Sequence, residues 1–113
     1  MSTQYFILNM EGYLEVWVGF FSRWAQYYFR LHEDTLYFGP AKDRIESKIH
    51  LKVAQIATAV EDPISFIIHT GTETLNLRAS SIEERVLWLK KIKKVQKKVE
   101  QANYLHEISL VDQ

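Results

Sequence analysis

The sequence predicts a mainly β domain with one C-terminal α-helix: short antiparallel strands, seven in all, in a sandwich or barrel that an amphipathic helix caps. Three observations carry that expectation. Between Glu11 and Arg78, apolar and polar residues alternate with period two in short runs rich in β-branched and aromatic types. Turn chemistry at Gly39-Pro40, Glu61-Asp62-Pro63 and Thr70-Gly71-Thr72-Glu73 interrupts those runs. After Ser81 the period changes to 3.6.

Residues 5–8 are a short apolar lead-in, so residues 1–9 are set apart from a domain over 10–102 and a tail over 103–113. The first strand, residues 11–18, puts Tyr13, Glu15 and Trp17 on one face and Leu14, Val16 and Val18 on the other. Gly19 and Ser22 then break the alternation, and the stretch Phe20-Phe21-Ser22-Arg23-Trp24 reads as a loop. Two readings of its aromatic pair stand: an exposed tip that contacts a membrane or a partner, or the last rung of the core. Residues 26–31 and 36–38 are the second and third strands, joined by a turn at His32-Glu33-Asp34-Thr35. Gly39-Pro40 ends the third, because proline donates no ladder hydrogen bond.

Residues 41–44 form a doubly basic loop, 46–51 a weakly alternating strand, and 53–60 a strand of small residues. Residues 64–69 and 74–78 pair as a hairpin around Gly71. Ser80 or Ser81 is the expected N-cap of the helix, with Glu83 and Glu84 where the helix dipole favours them. At 100° per residue, Trp88, Ile92, Val95 and Val99 share a stripe flanked by Leu89, and Lys90, Lys91, Lys93, Lys94, Lys97 and Lys98 cover the opposite face. A helix of about 20 residues follows. The tail, including Leu105, Ile108 and Leu110, either frays or packs back.

A chain of 113 residues is one domain that buries about two-thirds of its unfolded surface. It contains no cysteine, which removes thiolate chemistry and fits a reducing compartment, so the expected localisation is cytoplasmic. Residues 1–10 lack the pattern of a secretory signal, and no run reaches the roughly 20 apolar residues that span a bilayer. Net charge is zero, yet the seven basic residues from Arg85 to Lys98 are unrelieved by any acid. That lysine face either keeps the helix soluble or meets an acidic partner surface. Nucleic-acid binding is not expected, since the balanced charge leaves no basic sheet face.

The motif Glu11-Gly12-x-Leu14-x-x-Trp17, followed by Trp24, Phe29 and Leu31, resembles the opening of pleckstrin homology (PH) domains of the four-phosphate adaptor, oxysterol-binding and ceramide-transfer group. Ala79 and Glu84-Arg85-x-x-Trp88 resemble the closing helix, with Trp88 at the signature tryptophan. The resemblance covers roughly residues 10–95. It implies a PH-type fold and binding of phosphatidylinositol 4-phosphate at Golgi membranes, through a basic pocket and an apolar wedge between the first two strands. Phe20 and Phe21 match the wedge. The two pocket cations of the group fall at Val16 and Tyr27, neither of which forms a charge-assisted bond to phosphate. Arg23, Lys42 and Arg44 lie where the resemblance puts the pocket rim, and are either substitute ligands or ordinary loop charges.

The expected function is therefore a non-enzymatic targeting module, peripheral on endomembranes, with weak or atypical binding of anionic lipid or phosphoinositide. The alternative is a scaffold that docks a protein or a second copy of itself through Phe20, Phe21 and Trp24. Neither needs a cofactor. His32, His50, His69 and His106 fall on separate elements without metal-ligand spacing, and no phosphate loop or nucleophile elbow is present, so no catalysis is expected.

Overall fold

The computed structural model describes residues 8–111, with side chains from Met10 to Lys97. Strands β1 (Leu8–Val18), β2 (Arg23–His32), β3 (Thr35–Gly39), β4 (Ser47–His50), β5 (Gln55–Ala59), β6 (Asp62–His69) and β7 (Thr74–Arg78) precede helix α1 (Ile82–Val111). They form one antiparallel sheet of seven strands in the order β4-β3-β2-β1-β7-β6-β5. This is the expected fold. β1 joins the two halves, pairing along its length with β2 but with β7 only at Glu15↔Arg78 and Val16↔Leu77.

Alternation decides the faces. Leu14, Val16, Phe29, Leu31, Leu36, Phe38, Phe66, Ile68 and Leu77 turn inward, and Trp88, Ile92 and Val95 of α1 complete the core. Phe29 stacks on Phe38 at 5.2 Å and meets Trp88 edge-on at 6.5 Å. Burial of those rings supplies much of the fold's stability, at roughly 1.5–3 kcal/mol for each large apolar side chain.

Several element ends depart from expectation. β2 begins at Arg23, not at residue 26, so only Gly19 to Ser22 turn between β1 and β2. The cause is the cross-strand pair Trp17↔Trp24, which extends the ladder by one more rung to Val18↔Arg23. β6 begins at Asp62, so the turn before it is tighter than Glu61-Asp62-Pro63 implied. There the Asp62 carboxylate accepts a 2.7 Å bond from the Ser65 hydroxyl, and Arg85 donates to the Asp62 and Ser65 carbonyls.

Ser81 is the N-cap: its Oγ accepts the Glu84 N–H at 3.1 Å, while the Glu84 carboxylate accepts the Ser80 N–H at 3.3 Å. α1 runs 30 residues, longer than the roughly 20 expected, and its backbone carries residues 103–111 onward as helix. The expected roles of Val99, Lys98, His106, Leu105, Ile108 and Leu110 fall on side chains outside the described residues, as do residues 1–7 of the lead-in set at 1–9, whose last two residues belong to β1.

Candidate functional site

The turn between β1 and β2 is closed by two backbone bonds, Phe21 N–H to Val18 O at 3.1 Å and Ser22 N–H to Gly19 O at 3.2 Å, with Ser22 at φ 49°. The left-handed residue reverses the chain in four residues. Nothing behind the turn is left to cover its side chains. Phe20 is 92% exposed and Phe21 63%, their rings edge to face at 5.1 Å. The last inward residue of β1 with a buried side chain is Val16, so Phe20 and Phe21 are not a rung of the core.

Arg23 and Trp24, expected in the loop, are the first two residues of β2. Arg23 is exposed, its guanidinium 5.4 Å from the centre of the Phe21 ring. Trp24 is half-buried and not at the tip: it lies edge-on to Trp17 at 5.5 Å with the Arg78 guanidinium over it at 4.3 Å. Arg78 also donates from Nε to Glu15 at 2.8 Å. This outer cluster escaped the sequence reading because Arg78 is distant in sequence. Its one visible signal was Trp17 beside Tyr13 on the face opposite Leu14 and Val16, where a half-solvated strand carries polar residues.

On the inner side, Val16 is 8% exposed within the core, and Tyr27 packs partly buried against the core. Their cross-strand partners are Ala25 and Leu14. The inner wall behind the turn is therefore neutral.

The pairing of β2, β3 and β4 puts the β3–β4 loop at the same end as the β1–β2 turn. There Ala41 and Arg44 form a bridge, and Arg44 donates to Glu46 at 2.9 Å. Lys42 is exposed on the same loop. The structure thus brings Arg23, Lys42 and Arg44 to one end, with the charge of Arg44 balanced by its neighbour.

On α1, Lys90, Lys93, Lys94 and Lys97 are exposed and Lys91 is half-buried. Among the described histidines, His32 is 3.9 Å from the Glu33 carboxylate, His50 Nδ1 is 3.3 Å from Thr35 Oγ1, and His69 Nδ1 is 2.7 Å from Thr74 Oγ1. Among the described residues no three His, Asp or Glu side chains are grouped to hold a metal, and no helix is long and apolar enough to cross a membrane.

Solved structures with the same architecture are similar to this chain. The PH domain of human TBC1 domain family member 2 matches with a TM-score of 0.76 at 18% identity, over 89% of this chain and 91% of that one. The PH domain of human oxysterol binding protein-related protein 11 matches with a TM-score of 0.73 at 21% identity, over 82% and 83%. The C-terminal PH domain of pleckstrin, solved in complex with D-myo-Ins(1,2,3,5,6)P5, matches with a TM-score of 0.71 at 25% identity, over 80% and 96%. No curated protein matches the sequence. The family model of the PH domain matches residues 8–97, which takes in all seven strands and the core-packing part of α1, and the chain belongs to the PH domain family.

Proposed function

We propose that this domain is a non-enzymatic targeting module that docks on a membrane surface by inserting Phe20 and Phe21, with Arg23, Lys42 and Arg44 as a weak rim for anionic headgroups. PH domains serve as lipid-binding or protein-interaction modules. The observation that carries the membrane reading is the exposure of two adjacent phenyl rings, 92% and 63%, at the end of a hairpin. A soluble surface gains nothing from such a pair, whereas a bilayer or an apolar partner surface does.

Magnitudes limit its strength. Two fully inserted rings contribute at most about 3–6 kcal/mol, and partial insertion less. A single anchor of that size is a marginal binder that needs a second signal. The inositol phosphate in the pleckstrin complex belongs to that protein. Here the neutral side chains at Val16 and Tyr27 argue for weak headgroup selectivity, because neither supplies a cation to phosphate. Contact with the cytoplasmic leaflet of an endomembrane suits this combination of an apolar tip and a sparse cationic rim.

The test is co-sedimentation with vesicles of neutral lipid, phosphatidylserine, and mono- or polyphosphorylated phosphoinositides. The expected result is association with anionic vesicles that the pair Phe20→Asp and Phe21→Asp abolishes without changing the thermal midpoint. Association that survives the double change would falsify the wedge. The neutral inner wall favours a second reading, in which the same tip holds a protein or a second copy of this chain. Its mark would be no association with any vesicle, together with self-association or a complex that the double change disrupts.

A further inference from the structure

The outer face of β1 and β2 carries a row of four aromatic rings, of which Trp17 and Tyr13 are exposed, Trp24 is half-buried and Tyr28 is buried. Trp17 and Trp24 are directly paired in the register, and Tyr13 and Tyr28 are paired four residues along, edge to face at 5.3 Å. Trp17 is 40% exposed and Tyr13 47%. Glu15 opposes Gln26 between the two aromatic pairs. The row is continuous with the phenylalanine tip, since the rung Val18↔Arg23 alone separates the indole pair from the turn.

We propose that the Trp17 and Trp24 pair, with Arg78 over it, is an interfacial anchor that occupies the headgroup layer of a bilayer when the tip is inserted. This rests on the membrane reading of Phe20 and Phe21. Depth is the first argument. At roughly 3.3 Å per residue, the indole pair lies about 7–10 Å behind the tip. The headgroup layer is about 5–7 Å thick on each side of the hydrocarbon, and an interfacial apolar group sinks about 5–10 Å toward the acyl boundary. Phenyl rings sunk about 3–5 Å past that boundary leave the indoles about 2–7 Å outside it, among the headgroups.

Chemistry is the second argument. An indole has an apolar body and one N–H donor, which is why tryptophan concentrates at the interface rather than in the hydrocarbon. Three cations accompany the aromatic row, Arg23 at 5.4 Å over Phe21, Arg78 at 4.3 Å over Trp24 and Arg30 at 5.6 Å over Tyr28. A guanidinium over a ring face keeps N–H groups free for hydrogen bonds to phosphate oxygens. The bond from Arg78 to Glu15 uses Nε, one of the five N–H donors of that group. Aromatic rings with guanidinium groups beside them match the mixed polarity of the headgroup layer.

The intrinsic tryptophans make the test direct, because the chain has three and Trp88 is 1% exposed in the core as an internal reference. The full chain is mixed with phosphatidylcholine and phosphatidylserine vesicles in which the phosphatidylcholine is brominated either near the headgroup or near the chain end. Headgroup-side bromine is expected to quench the emission, and chain-end bromine to leave it nearly unchanged. Trp17→Thr should weaken association about tenfold, and Trp17→Tyr, which keeps an amphipathic ring, should recover most of it. An unchanged thermal midpoint in both variants shows that the core is kept. Association sensitive to Phe20→Asp and Phe21→Asp, but with no quenching and no effect of Trp17→Thr, overturns the indole anchor while the tip stands. No association with vesicles overturns both.

Discussion

Gly39 shows how one missing side chain shapes the end of the sheet that carries the candidate site. A β-carbon there would stand 1.8 Å from the Arg44 carbonyl oxygen and 2.9 Å from the Ile45 Cα, so the β3–β4 loop folds down directly onto the glycine. The obstacle is backbone and has no rotamer to escape into. Gly39→Ala is expected to lower stability by at least about 2–3 kcal/mol in urea unfolding, at the upper end of overpacking costs. Gly71, at φ 99° in the β6–β7 turn, is the contrasting case: nothing lies within 4 Å of its added carbon. Gly71→Ala should cost only about 1–2 kcal/mol, the strain of a left-handed alanine. Equal losses at both positions would mean that the loop yields around Gly39. The ion pair of Arg44 and Glu46 on that loop is exposed on both sides, so it adds little beyond the fold of the backbone.

Helix α1 is the element whose inner face is most legible in the sequence and whose fastening is least so. Trp88, Ile92 and Val95 recur at helical spacing, and burial follows that stripe, because a 3.6-residue period can satisfy only one apolar surface. The cap at Ser81 is legible for the same local reason. What fastens the helix is not local. Gln96 donates from Nε2 to the carbonyls of Leu51 and Ala54, both at 2.8 Å, and Arg85 reaches the carbonyls of Asp62 and Ser65. In the sequence Arg85 is one more charge of a basic run and Gln96 is a polar residue among lysines; their partners are carbonyls at the start of β6 and in the β4–β5 corner, 20 to 45 residues away. Strand starts fail for a related reason, since the Trp17 and Trp24 pair that lengthens β2 needs both strands in register before it exists. Gln96→Ala would strip the Leu51 and Ala54 carbonyls of this shared donor, at an expected cost of about 1–3 kcal/mol. The neighbouring Lys97→Ala should stay within about 0.5 kcal/mol of the parent. Urea unfolding gives both values, and hydrogen exchange of Gln96→Ala should speed first at the corner between β4 and β5.

At the scale of the whole molecule, zero net charge conceals two separated surfaces. Trp88 of α1 faces Gly12 of β1, whose added β-carbon would stand 3.8 Å from the indole Cζ2. From Gly12 to the end of β1 at Val18 is roughly 20 Å of extended chain, so α1 crosses the sandwich well away from the phenylalanine tip. Lys90, Lys93, Lys94 and Lys97 are exposed on the face opposite the core stripe, turned from the sandwich, while Lys91 at its flank is half-buried. One flat bilayer cannot meet the tip and that face together. The two candidate driving forces differ enough in size to be told apart. Four lysines at about 1 kcal/mol each near an anionic surface amount to roughly a thousandfold in affinity, and such a contact weakens steeply with salt. The aromatic tip is apolar and screened little. Replacing Lys90, Lys93, Lys94 and Lys97 by glutamate is therefore expected to change vesicle association less than about threefold, and the parent's modest salt dependence should persist in the variant. A collapse of association in that variant, with the thermal midpoint unchanged, would move the membrane contact from the hairpin to the helix. The aromatic row on β1 and β2 would then be left to a protein partner.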